Sequence, residues 1–589
     1  MAGKKFLEAT VLAQDPHVDI DGYTASATVG LTWELMGRGP VGHRVHVIDY
    51  DAATSTLYGP TDLDASTAGP FAAVDLADPA FHARNVFALV MHTLGRFEAA
   101  LGRRVDWAFR AQQLKVVPHA FDVANAFYSR ETESILFGYF SRDASTPGKA
   151  KASRVFTCLS HDVVVHETTH ALLDGLRPGF MAPSSPDQAA FHEGFADLVA
   201  LLSTFTLGDV VGRLLDLNRA PLPGEVRRPP SGPLIRASDV TAANLKNSVL
   251  LAVADRFVAP LGGAAPGALR RSVLIDWRSA NLDDPKNDEP HARAEILVAA
   301  VMNAFVEVWS ARLEGLGSKT LAELPRERVA EEGVEIARQL LTMAIRAIDY
   351  TPPIHLTFSD FLTAVLTADT EVRPDDSRYG LRAALKTWFR RYGIRPVPGA
   401  GGCWSRPKQA ELVLDGTNFT ELRHDPAEMF RLIWNNRDDL NLNATAYTHV
   451  SSIRPCVRVG PEDGQIVHET VTECLQYVSI RAADLPSMGL RAPRGVDPDL
   501  IVALQGGSTL ILDEYGRLKY EVSNRLPRPG AAEGTREQAR VARMQERLDY
   551  LARTGYLDRP HAATMRIADL HRRRWTAVGI RPDDRQEAW

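Results

Sequence analysis

The sequence predicts an α+β protein, on three observations. Short alternating segments come early, a long run of helical periodicity fills the middle, and alternation returns near the end. The 589 residues are too many for one ordinary domain and suit two to four. Hydrophobic residues at 45% and charged residues at 24% are globular values, which exclude a disordered, collagen-like or coiled-coil chain. A net charge of -6 argues against nucleic acid or an anionic membrane as a general partner. Cys158, Cys403, Cys456 and Cys474 form no CxxC pair and fit a reducing compartment. No apolar run follows Lys4 and Lys5 to make a signal peptide. The most apolar stretch, 296–309, is shorter than the about 20 residues a membrane span needs. The expectation is therefore a cytoplasmic protein with no membrane or nucleic-acid partner.

Residues 1–157 read as a strand-rich unit. Residues 43–51 alternate like a half-buried strand, with a turn and a short strand at 56–58 after them. A helix spans 79–101, and strands are expected at 113–117 and 135–140. Residues 158–394 read as helical, with helices at 160–176, 188–204, 239–257, 291–315, 326–348, 358–369 and 379–392. The prolines between 221 and 233 predict a long irregular loop over 197–236, and another is expected over 260–290. Residues 395–408 (RPVPGAGGCWSRPK) read as a linker. Residues 409–589 form a separate α+β domain. Its expected elements are a helix at 426–434, alternating segments at 446–459, 465–481 and 500–523, and a charged helical end over 534–573. Asp513 to Gly516 forms the turn of a hairpin over 508–522.

The chemistry concentrates in His166-Glu167-Thr168-Thr169-His170. Two histidines at i and i+4 share one helix face and can reach one ion, while Glu167 projects beside them to take a proton from metal-bound water. A catalytic zinc wants a third protein ligand and an open position. Glu193, on the next expected helix, supplies the ligand. Asp197, one turn on, shares its face and can orient a ligating imidazole.

HExxH followed by ExxxD resembles the gluzincin metallopeptidases, and the surroundings are similar to the thermolysin family, M4. The likeness covers roughly 20–393. It includes Asp162-Val163-Val164, Asn125-Ala126-Phe127-Tyr128 with Ile135 to Gly138, the 234–238 segment LIRAS, and Pro290-His291 opening an apolar helix with Asn303. The resemblance implies a two-lobed zincin fold, strand-rich then helical, and a zinc endopeptidase binding one Zn2+ per chain through His166, His170 and Glu193. In it Asp197 orients His166 and Glu167 is the general base. His291 stabilises the oxyanion, and Arg236 bonds the carbonyl on the leaving side. Asn125 and Ala126 hold an extended peptide or protein substrate, and Val163 and Ile235 line an apolar pocket. Read as residues alone, His291 also suits a helix start, Arg236 an ordinary loop and Asn125 a turn. His161 and His192 read as helix-surface or supporting residues, and Cys158 as a small apolar one.

The chain departs from that family's pattern in several places. Met181 stands where the family has a Tyr donating to the oxyanion, leaving Tyr128, Tyr139 or another donor to substitute. Lys286 replaces the Asp that partners the catalytic His, with Asp284 and Asp288 as alternatives. Thr204 replaces a glutamate of the calcium site, so calcium is not expected and Asp162 is read as structural. With neither signal peptide nor propeptide, the expectation is restraint by a regulatory partner, self-inhibition through 409–589, or delivery as an effector. The alternatives are a catalytically weak or inactive zincin-fold scaffold and a zinc aminopeptidase. Against the last stands the absence of a Gly-x-Met-Glu-Asn segment.

Overall fold

The computed structural model describes residues 6–13, 25–32, 34–60, 74–141, 154–217, 233–246, 272–280, 282–316, 323–407, 412–414, 416–418, 420–459, 464, 466–528, 535–557, 567 and 571. They form an α+β structure. Strands β1 (Phe6–Leu12) and β2 (Ser26–Thr32) pair antiparallel, a hairpin the sequence reading did not anticipate. The alternating segment at 43–51 divides into β3 (Val45–Val47) and β4 (Tyr50–Asp51), and β4 pairs with β5 (Thr56–Leu57). Helix α1 (Pro79–Leu101) starts where Asp78 accepts from the Ala80 N–H and Pro79 needs no donor. It stops where Gly102 turns left-handed at φ 70.

A mixed sheet follows. Strand β6 (Leu114–Phe121) lies parallel to β3 and to β8 (Ser134–Ser141), while β7 (Ala126–Ser129) and β9 (Arg154–Phe156) pair antiparallel with β8. The order β3-β6-β8-β7 leaves β7 at the end, its outer edge unpaired among the described residues. That edge borders the candidate site.

Helices α2 (His161–Leu176), α3 (Pro186–Phe205) and α4 (Gly208–Leu217) come next. The loop expected over 197–236 is thus displaced: α3 runs on to Phe205 and α4 to Leu217. Val210, Val211 and Leu215 recur at helical spacing and are buried, so the chain is helical as far as Leu217. Residues 218–232, and 247–271 of the expected helix over 239–257 and the loop over 260–290, lie outside the described residues. What is described there is β10 (Leu234–Arg236), a short 3-10 turn and α5 (Ala242–Lys246). Helix α6 (Pro290–Leu316) has 27 residues, exceeding the apolar stretch read from sequence. Among the described residues it alone is long and apolar enough to cross a membrane, yet 83% of its apolar window is buried in the protein. Strand β11 (Glu323–Pro325) pairs with β10, and α7 (Arg326–Ala347), α8 (Phe358–Val372) and α9 (Leu381–Arg391) complete the helical part.

Two packing details position the site. A Cβ on Gly194 would meet the Ala294 carbonyl and Leu297 at 3.2–3.3 Å, so glycine lets α3 and α6 approach closely beside Glu193. Arg293 on α6 bonds Asp187 at the start of α3 at 2.6 Å, and the other Asp187 oxygen accepts from the Phe358 N–H.

Residues 395–407 lie against the helical part. The Trp404 indole donates to the Tyr350 carbonyl and its backbone N–H to Thr367. Beyond come α10 (Pro426–Asn435) and an antiparallel meander of β12 (Tyr447–Val459), β13 (Ile466–Arg481), β14 (Ile501–Leu512) and β15 (Leu518–Asn524). The β14–β15 turn is the one read from sequence. Asp513 accepts from the Tyr515 and Arg517 N–H groups and Gly516 takes φ 77. Helix α11 (Thr535–Thr554) covers part of the charged end expected over 534–573. The meander shares a core with the helices through Cys456, Val471, Ile511 and Tyr520. A buried ionic network adds to it. Asp349 sits between Arg103 and Arg458, Arg458 also reaches Glu469, and Arg177 reaches Glu473.

Candidate functional site

Helix α2 carries the first two candidate ligands. The Thr168 and Thr169 hydroxyls bond the Val164 and Val165 carbonyls one turn back, at 2.6 and 2.7 Å, which turns them away from the histidine face. The Nε2 atoms of His166 and His170 face each other at 2.9 Å. From α3, the Glu193 carboxylate oxygens stand 3.4 Å from His166 Nε2 and 3.6 Å from His170 Nε2. Asp197 lies one turn further, its Oδ1 at 2.8 Å from His166 Nδ1. The Asp197 charge favours a proton on Nδ1, the tautomer in which Nε2 would be left to an ion.

The outer nitrogen of His170 faces a different partner, His192 Nδ1 at 3.1 Å. Of the two roles expected for His161 and His192, the helix-surface one is excluded, because both are at most 1% exposed. His161 is tied to the Leu12 carbonyl and Ser203. His192 plays the supporting part, and its burial lowers its pKa to about 4, keeping it a neutral partner.

Glu167 is buried, and its Oε2 accepts the Tyr128 N–H of β7 at 3.0 Å. Burial holds its carboxyl above the usual range, against the pull of His571 and His166. A carboxylate so placed is a better proton acceptor than one in water.

Around this group, His291 at the start of α6 brings Nε2 to 3.5 Å from Glu193 Oε2. Its acidic partner is Glu289, at 2.8 Å from Nδ1, rather than Asp284 or Asp288. Glu289 also accepts the Ala292 N–H and so caps α6, while Asp284 pairs with Lys286 and Asp288 lies near Arg293. Asp162 accepts a hydrogen bond from the Thr204 hydroxyl. Arg236 on β10 pairs with Asp239 at 2.9 Å, Ile235 is buried in the β10–β11 pair, and Val163 is half-buried. Asn125 turns its side-chain oxygen back onto the Ala126 N–H, as a turn residue does. The two tyrosines considered as oxyanion donors are committed elsewhere: Tyr128 donates to Asp174 and Tyr139 to Asp51.

The sequence reading missed His571. Its Nδ1 stands 2.9 Å from the Ala126 carbonyl and 3.6 Å from Glu167 Oε1, and its Nε2 is 3.6 Å from Glu193 Oε2. Ligand atoms of His166, His170, Glu193 and His571 all lie within 4.8 Å of one another. One histidine in an arginine-rich tail carries no local mark of such a role.

This grouping could hold a metal ion. Two imidazole lone pairs and a carboxylate oxygen without a hydrogen-bond partner, Glu193 Oε1, are buried face to face, and a cation is what relieves that arrangement. A second buried grouping joins His82, His119 and Cys158. There His82 bonds the Leu76 carbonyl and His119, and His119 bonds Asp49 at 2.6 Å, so every ring nitrogen has a partner without an ion. Compared with known proteins, the chain matches no family model and no curated protein.

Proposed function

We propose that the chain is a zinc-dependent endopeptidase with the two-lobed zincin fold of the thermolysin-like gluzincins. The observation that carries the reading is the convergence of His166, His170 and Glu193 on one point, with the Glu167 carboxylate beside them and alongside it the outer edge of β7, which pairs with no other described strand. The donor set, two imidazoles and a carboxylate, suits Zn2+, which when bound polarises a carbonyl and lowers the pKa of a water. Asp197 and His192 keep the two ligating rings in the tautomers that leave Nε2 free. Glu167, raised by burial and held in place by the Tyr128 N–H, takes the water's proton and passes it to the leaving amine. A peptide pairing with β7 as an added strand lies extended past Glu167. His291, oriented by Glu289, is the nearest remaining donor for the oxyanion.

A second reading has one specific observation in its favour. His571 supplies a fourth protein donor, and closed four-donor sites are structural rather than catalytic. A peptide library separates the two. Metal-loaded wild type cleaves it and Glu167→Gln does not, with about one zinc bound in each. A library left intact by wild type and by every His571 variant supports the closed, non-catalytic site.

A further inference from the structure

We infer that His571 is a ligand of the metal centre and that Ile567 and His571 together cover the candidate site as an internal competitor of substrate. The inference rests on the peptidase reading above. Its support comes from four contacts, each taking a place that a substrate or the reacting water needs.

The first is the ligand position. His571 Nδ1 stands 2.9 Å from the Ala126 carbonyl, an acceptor only, so the proton sits on Nδ1. In the neutral ring Nε2 is then a lone pair, and it faces the side where Glu193 Oε2 lies 3.6 Å away. The hydrogen bond fixes the tautomer that ligates. A tetrahedral ion with four protein donors leaves no position for water.

The second is the strand edge. The Ala126 carbonyl belongs to β7, which ends its sheet, and it is an acceptor that an added peptide strand would use. The third is the base: His571 Nδ1 is 3.6 Å from Glu167 Oε1, the carboxylate oxygen that does not accept the Tyr128 N–H. The fourth is apolar. Ile567, four residues before His571 and 1% exposed, packs with Met181 and Ala189 and against Phe127. Phe127 is a β7 residue, so the tail's apolar anchor and its imidazole grip the same strand. Met181 is the position where the resembling family has its tyrosine. Here it carries no hydroxyl, and Ile567 packs over it.

The three core donors come from α2 and α3, which pack against each other within the main hydrophobic core. Ile567 instead belongs to a small cluster of its own with Met181 and Ala189. Of the four donors, His571 is therefore the one that can leave without dismantling the fold.

The experiment uses the full-length protein as wild type, His571→Ala and Ile567→Asp, each loaded with cobalt in place of zinc. Cobalt's visible spectrum reports coordination independently of turnover. His571→Ala is expected to change that spectrum and to let acetohydroxamic acid bind and shift it further, whereas wild type resists the hydroxamate. With zinc, both variants are expected to cleave a peptide library about tenfold faster than wild type or more, as follows if the tail is seated at least about nine-tenths of the time. An unchanged spectrum and equal cleavage by all three proteins overturns the inference and leaves the peptidase reading standing. A changed spectrum with hydroxamate binding, but no cleavage by any of them, keeps His571 as ligand and sinks the peptidase reading. Loss of metal from His571→Ala with no hydroxamate binding makes His571 a structural ligand and overturns the closure.

Discussion

Replacing Asp349 with alanine tests how the meander is fastened to the helical part. Asp349 is fully buried; Arg103 reaches its two oxygens at 2.6 and 2.7 Å, and Arg458, from β12, reaches one of them. Burial alone would raise the Asp349 carboxyl, but the two guanidiniums outweigh it and hold its pKa well below the usual carboxylate range. Alanine leaves Arg103 and Arg458 buried with their shared counter-charge gone; Glu469 still pairs with Arg458, while Arg103 loses its principal partner. Removing one member of a buried ion pair costs about 3–5 kcal/mol, and the bidentate Arg103 contact places this site toward the upper end. The assay is urea unfolding of the full chain, followed by near-ultraviolet circular dichroism and limited proteolysis. The chain is too large for one two-state transition, so the quantity read is the midpoint of its earliest one. That transition is expected to move to lower urea, with the first proteolytic cuts falling between the helical part and the meander. A loss below about 1 kcal/mol would mean that water or rearranged side chains replace the carboxylate, and would refute the argument. The pH dependence provides a second check. A carboxyl whose folded pKa is depressed stabilises the fold above its unfolded value, about 4, and that stability drains away as pH falls further. In Asp349→Ala this part of the acid sensitivity should vanish.

Asp197→Asn keeps the shape beside His166 but removes the charge that holds its Nδ1 proton; zinc affinity is expected to fall about 10–100-fold by chelator competition. Unchanged affinity would show that His166 needs no such partner. His82, 1% exposed, has a pKa lowered by burial to about 4, against the helping pull of the Leu76 carbonyl. Its folded pKa lies below the unfolded value of about 6.5, so it stabilises the protein above that pH. On the order of 3 kcal/mol should be lost as pH falls from about 6.5 to 4. Urea midpoints across that window, compared between wild type and His82→Phe, check it; equal slopes would contradict it.

The candidate-ligand motifs stand out in the sequence because helical periodicity is local. The i, i+4 spacing of His166 and His170, and of Glu193 and Asp197, fixes their faces whatever the rest of the chain does. Helix α1 was equally plain, since Asp78, Pro79 and Gly102 mark both ends. The partners of those residues were not legible. Glu289 serves His291 because the turn before α6 brings it round, and the neighbouring acids Asp284 and Asp288 look the same in sequence. For His192 the sequence leaves a helix-surface and a supporting role open, and the packing of α2 on α3 decides between them by burying its ring against His170. Helix α4 was lost to the prolines that follow it, a breaker signal assigned too early in the chain. His571 was out of reach altogether, since nothing local ties a tail residue to a strand 445 positions earlier.

That separation has a consequence for the order of events at synthesis. His166, His170 and Glu193 lie within 28 consecutive residues, whereas His571 follows Glu193 by 378. At about 5–20 residues per second, a growing chain exposes the first three donors some 20–75 s before the fourth is made. A metal ion can therefore be captured while the site is still three-sided and open. On the closure inferred above, His571 reaches the candidate site after the three earlier donors, so the order of translation allows filling to precede closure.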